Sequence, residues 1–248
     1  MSIVLDVKGR TFNSLVNYYN KEKNLKKFIA VCQSMVKSKD STPEMRGEIC
    51  ESVLYVMLTD FIVKHNLKDW RISKGLILKN VSDGSNPNYL TELDLTLFTP
   101  KCVFSFECKS YKGEKFLCDK GTLYLKNGVG RKKCMDIFDQ HIKHFYVLED
   151  NIRVALKEVL PNKYKSYRLL CFEFSDTPLV DERDDKYKGL FPVCTVNNLY
   201  NIFKSYNERP DYWDMERINK VVDIIEKAGK KNKKSHLDYV TSINRNRS

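Results

Sequence analysis

The segment Leu90–Lys109 constrains the fold more than any other stretch of this 248-residue chain. Leu93, Leu95 and Leu97 alternate with polar residues; Phe104, Phe106 and Cys108 do the same, and Thr99-Pro100-Lys101 lies between the two runs. A two-residue period marks half-buried strands and the proline segment marks a turn, so the pattern predicts a β-hairpin. Asp94 and Thr96 share one face of the first strand, and Ser105, Glu107 and Lys109 share one face of the second. A tight turn centred on Pro100-Lys101 sets Asp94 opposite Glu107, where like charges destabilise a sheet. A divalent cation resolves that conflict, because Mg²⁺ takes oxygen ligands, commonly one or two carboxylates with water and phosphate. Lys109 projects from the same face as Glu107, where an ammonium could orient a water or steady phosphate charge. The plainer alternative is a Glu-x-Lys pair on a solvated strand; the matched register of Asp94 favours a site.

A helix is expected from Thr42 to about Val63, with Thr42 as N-cap, Pro43 at its first position and Glu44 in its first turn. Glu48, Glu51, Ser52, Tyr55 and Thr59 form one polar stripe on an otherwise apolar helix that includes Ile49, Cys50, Val53, Leu54, Val56 and Phe61. Acids there are costly unless paired or metal-bound, the alternative being a stripe that faces water.

Elsewhere, periodicity and breakers predict one helix over 12–37, strands over 70–79 and 167–174, and a loop over 82–88. They further predict a hairpin around Asp119-Lys-Gly121, a helix over 131–158, a charged surface loop over 181–186 and a short strand over 192–196. Helices over 197–206 and 211–228 follow, and from Gly229 a mobile basic tail. Irregular alternation of strands and helices gives an α/β class with a central mixed sheet. The expected organisation is a helical extension over 1–40, a core over 41–206, and a C-terminal helix with basic tail over 207–248.

Composition narrows the function. The chain carries 43 Lys and Arg against 32 Asp and Glu, a formal charge of +11, which favours a polyanionic partner. Eight cysteines include several inside apolar runs, such as Cys108 and Cys171, and no CxxC pair, which argues for reduced thiols and against a zinc ribbon. Neither a membrane-length apolar run nor a secretory signal is visible, so a soluble cytoplasmic protein is expected. There is no P-loop motif.

Gly47-Glu48-Ile-Cys-Glu51 on a helix, Glu92-Leu-Asp94 on a strand and Phe106-Glu107-Cys-Lys109-Ser-Tyr-Lys-Gly113 on the next resemble the PD-(D/E)xK nuclease superfamily, most nearly its nuclease-related-domain (NERD) branch. Gln140 and His144 on a downstream helix, and Phe172-Glu-Phe-Ser175 on a buried strand, continue the resemblance over roughly residues 46–205. Met135-Asp-Ile-Phe-Asp139 replaces the Asn-Pro that often precedes the Gln, and Cys50 stands where Gly is usual.

The resemblance implies a restriction-endonuclease-like core, a central mixed β-sheet flanked by helices, with N- and C-terminal helical additions. It implies a metal-dependent endonuclease acting on DNA. Asp94, Glu107, the Cys108 carbonyl and Glu51 (with Glu48 as substitute) would hold Mg²⁺ or Mn²⁺, Lys109 would activate water, and Gln140 would touch substrate. Lys112, Lys115, Arg131, Lys132, Lys133 and His144 are candidate nucleic-acid contacts. An inactive DNA-binding module on the same scaffold and an RNA-directed nuclease are the alternatives. No membrane partner is expected, and a homo-oligomer is left open without being indicated.

Overall fold

A computed structural model describes residues 11–80, 90–157 and 167–245, with side chains as far as Asn232. The loop expected over 82–88 lies outside the described residues. The expected single helix over 12–37 is two, α1 (Thr11–Glu22) and α2 (Leu25–Lys37). Lys23 takes a left-handed φ of 50°, and the Asn24 side chain then accepts a bond from the Lys27 N–H, so a capped new helix starts where the apolar spacing slips. α3 (Pro43–Lys64) begins as predicted: Thr42 Oγ1 accepts from the Met45 N–H at 3.2 Å.

Nine described strands follow or alternate with these helices: β1 (Arg71–Lys79), β2 (Leu90–Phe98), β3 (Val103–Lys109), β4 (Lys115–Cys118), β5 (Thr122–Asn127), β6 (Gly130–Asp136), β7 (Tyr167–Glu173), β8 (Leu179–Asp181) and β9 (Val193–Cys194). The later helices are α4 (Ile137–Leu156), α5 (Asp185–Leu190), α6 (Leu199–Asn207) and α7 (Met215–Arg245). The strands form two mixed sheets flanked by helices, one ordered β1-β2-β3-β7-β9 and one β6-β5-β4-β8. The α/β class expected from the sequence is the class observed.

Three expectations fail for physical reasons. Residues 130–136 are a strand, not the start of a helix: Asn127 pairs with Gly130 across Gly128-Val129, and Gly128 has φ 60°, which is hairpin chemistry. Residues 131–134 are exposed, so the strand has no apolar alternation to betray it. Arg183, in the expected surface loop, is 2% exposed; its guanidinium binds Asp181 through Nε and Nη2, each at 2.8 Å, and the Phe191 carbonyl at 2.9 Å. Gly229 does not open a mobile tail but lies within α7, which runs to Arg245.

The chain divides into two compact units. One comprises residues up to 68, 107–139 and 170–204. Its helices are tied by Asp60, which is 8% exposed and accepts from Tyr19 Oη and Tyr200 Oη, each at 2.7 Å, and from Lys64 at 2.7 Å. Gly121 is forced by packing, since a Cβ there would sit 2.4 Å from Phe138 Cβ.

The other unit comprises residues 69–106, 140–169 and 205–248. Its core gathers Leu76, Leu78 and Leu93 from the sheet, Phe145, Leu148 and Ile152 from α4, and Trp213, Ile218, Val221 and Ile225 from the C-terminal region. Ser73 Oγ donates to Glu226 at 2.7 Å and Asn232 Nδ2 donates to the Ile77 carbonyl at 2.9 Å, fixing α7 on β1. Gly229 lies over β1, where an added Cβ would make an ordinary 3.5 Å contact with the Ile77 nitrogen. The gap thus admits a methyl, and alanine removes glycine's helix penalty. Gly229→Ala is therefore expected to stabilise the protein by about 0.5–1 kcal/mol, read as a rightward shift of the urea midpoint with unchanged slope. A larger residue there would separate α7 from β1 and shift the midpoint left.

Candidate active site

The β2–β3 hairpin has the register that its turn predicts. Leu95 faces Phe106, Thr96 faces Ser105, Leu97 faces Phe104 and Phe98 faces Val103. Thr99 builds the turn: its Oγ1 accepts from the N–H groups of Lys101 and Cys102 at 3.1 and 3.0 Å and donates to the Cys102 carbonyl at 2.8 Å. This hydroxyl adds side-chain bonds to the backbone bond from the Thr99 N–H to the Cys102 carbonyl at 3.2 Å.

Beyond Phe106, β3 delivers Glu107, Cys108 and Lys109. Glu107 is 3% exposed, and Lys109 Nζ binds its Oε1 at 2.6 Å. Residues two apart on a strand share a face, so this pairing follows directly from the Glu-x-Lys spacing. Removing a charge from water is expensive, and the pairing with Lys109 offsets part of that cost for Glu107.

α3 reaches this end of β3 through Cys50, whose thiol donates to the Lys109 carbonyl at 3.5 Å and also approaches the Phe172 carbonyl at 3.6 Å. A glycine at position 50 could not make that bond. The two candidate helix acids part company here. Glu48 accepts from the Phe12 N–H at 3.2 Å and so caps the start of α1, satisfying a donor that every helix N-terminus leaves open. Glu51 is half-buried and directly follows the residue that touches β3.

Asp94 is half-buried on β2 and Gln140 half-buried on α4. The neighbouring His141 is 1% exposed and shares a 3.0 Å hydrogen bond with Ser105 Oγ, so it is neither a solvated residue nor a surface phosphate contact. His144 is half-buried. Among the described residues, no group of three or more His, Cys, Asp or Glu is gathered to hold a metal ion.

The predicted basic contacts divide by burial. Lys112 donates to the Ser38 carbonyl at 2.8 Å, tying the loop after β3 to the end of α2. Lys115 is 1% exposed and donates to Thr177 Oγ1 at 3.0 Å and to the Gly113 carbonyl at 3.2 Å, with Asp176 and Glu173 at 3.7 and 3.8 Å. Its ammonium is an interior strut and does not stand on the surface. Arg131, Lys132 and Lys133 are exposed on β6.

Sequence reasoning passed over Glu173, a 6%-exposed acid closing β7. An acid inside Leu169-Leu-Cys-Phe-Glu-Phe is itself the missed signal. Burial raises its pKa, outweighing the Ser175 hydrogen bond and the charge of Lys115, and burial likewise lowers the pKa of Lys115. The folded state thus binds the Glu173 proton more tightly than the unfolded chain does. The resulting stability is full below the unfolded value of about 4.3 and is lost as pH rises through the folded value. Glu173→Gln is expected to flatten this decline in thermal unfolding from acid to neutral pH; an unchanged slope would refute the assignment.

The nuclease-related domain family matches residues 44–172. No curated protein matches the sequence. Among solved structures, a protein of unknown function, AF1548, is 11% identical over 56% of this chain and 54% of its own, with a TM-score of 0.30. Protein VC1899 from Vibrio cholerae is 14% identical over 85% of this chain and 50% of its own, with a TM-score of 0.36. The chain spans about half the length of these two structures.

Proposed function

The chain belongs to the nuclease-related domain family, and from that premise we propose that it is a metal-dependent nuclease that hydrolyses phosphodiester bonds of DNA. The observation that carries this reading is the 2.6 Å pair of buried Glu107 and half-buried Lys109, which matches the family's E-x-K motif. Asp94, Glu107, Glu51 and the Cys108 carbonyl are all oxygen donors, the chemistry that suits a hard cation such as Mg²⁺ or Mn²⁺. Glu51 is taken as the helix ligand because it follows Cys50, whose thiol reaches the Lys109 carbonyl, whereas Glu48 lies at the start of α1. The bound ion would offset negative charge developing on the phosphate.

The chain's own groups do the rest. Lys109, held now by Glu107, would turn its ammonium to the attacking water and orient it in line with the scissile P–O bond. The Cys50 thiol steadies the Lys109 backbone from the helix side. Gln140 would contact substrate, and exposed Lys132 and Lys133 would attract the phosphate backbone.

Purified protein should nick circular DNA and degrade linear DNA with Mg²⁺ or Mn²⁺, and EDTA should stop both. Asp94→Ala and Lys109→Ala should each lower the rate by at least about 10²-fold, with unchanged thermal unfolding as the control for folding. Wild-type rates from the Asp94→Ala protein would remove the site assignment. Salt-dependent DNA binding without any cleavage would identify a binding module, and faster cleavage of matched RNA would reassign the substrate.

A further inference from the structure

We propose that the outer face of the four-stranded sheet is a docking surface for single-stranded nucleic acid. Glu107 and Lys109 lie on a strand of the other, five-stranded sheet, and strand binding here is testable whether or not that pair cuts.

The sheet has two unlike faces. Lys115, Leu117 and Leu123 are buried on the inner one. On the outer one, the ladder aligns Val180, Phe116, Tyr124 and Lys133 in a row across four strands, β8 to β6. Phe116 and Tyr124 are half-buried and Val180 is 47% exposed, so the row carries partly exposed aromatic surface. The Arg131 guanidinium lies 3.6 Å from the centre of the Phe116 ring and is held there by Glu182 at 2.6 and 2.9 Å. Rings and guanidinium planes are the groups on which unstacked bases lie.

The charge beside this row is complementary to a phosphate backbone. Residues 120–135 contain Lys120, Lys126, Arg131, Lys132 and Lys133 and no acid. Glu114 and Glu182 border the face, but each is already paired, with Lys126 and Arg131 at 2.6 Å. Lys133 is exposed within the row and Lys120 in the β4–β5 turn; Lys132 is exposed too, in the neighbouring row with Leu125. Phosphates running along β6 would place bases over Tyr124 and over the guanidinium that covers Phe116. A duplex keeps its bases stacked inward and could use only the lysines, so the aromatic row favours a single strand. The competing account is that β6, as an edge strand, carries lysines to block pairing with another sheet.

Fluorescence anisotropy of a labelled oligothymidine and of a labelled duplex, with the full chain in EDTA, separates these accounts. The single strand should bind more tightly. Tyr124→Ala should weaken it about tenfold while Tyr124→Phe keeps wild-type affinity, because stacking needs the ring and not the hydroxyl. Lys133→Ala should reduce the slope of log affinity against log salt by about 0.7, one phosphate contact on a single strand. Thermal unfolding checks that each variant is folded. Preference for the duplex, or wild-type oligothymidine binding by both Tyr124→Ala and Lys133→Ala, overturns the proposal. So does self-association of Lys133→Ala with unchanged oligothymidine binding, which would make the lysines edge guards. Loss of cleavage with these binding results intact would count against the nuclease reading alone.

Discussion

A carboxylate taken out of water must find donors, and much of this structure is the answer to that demand. Asp60, Glu107 and Glu173 are 8%, 3% and 6% exposed, and each is answered differently. Burial alone would raise the pKa of Asp60, but bonds from Lys64, Tyr200 and Tyr19 outweigh it and hold the acid below its ordinary range. In return, burial and Asp60 push the Tyr19 hydroxyl up to about 12. That acid is an anchor, spanning α1, α3 and α6. Glu173 is the reverse, its burial only partly offset by Ser175 and Lys115. Glu107 is met by a cation from its own strand, Lys109, and a lysine on a flexible stem can turn to another task without unlocking the fold.

The hairpin and the helix cap were legible because local chemistry and tertiary packing agree there. Strand alternation, a Pro-Lys turn and Thr42 before Pro43 each have one physical meaning, and the structure repeats it. The α1–α2 break was hidden because apolar steps of three and four residues run on both sides of it and slip only between Tyr19 and Leu25, while the deciding event is a single left-handed residue. β6 was hidden because an edge strand wet on both faces lacks the two-residue signal. α7 outruns its expected end because a lysine-rich stretch is not a helix breaker. Lys forms helix well, and Leu237, Val240 and Ile243 recur at three-residue steps beyond the lysines.

Within the candidate site, sequence spacing resolved same-strand geometry better than helix geometry. Glu107 and Lys109 meet because two residues on a strand always share a face. Glu48 and Glu51 share a helix stripe, and only the arrival of α1 separates them. Its Phe12 N–H claims Glu48, an interaction 36 residues apart that no local pattern encodes. The same holds for His141, whose Nε2 meets the Ser105 hydroxyl of β3, a partner 36 residues away.

Net charge shows the same limit from another side. The formal +11 describes a preference for polyanions but not which cations express it. Lys115 and Lys133 stand in adjacent rows of one sheet, the first aligned with Leu125 and Lys132, the second with Tyr124 and Phe116. One register step sends Lys115 inward to Thr177 and Gly113 and leaves Lys133 in solvent beside an aromatic ring. Lys132 shares the row of Lys115 and is exposed all the same, because β6 is the sheet edge, so alternation across the pleat and distance from that edge together decide which lysines brace the interior and which can meet a phosphate.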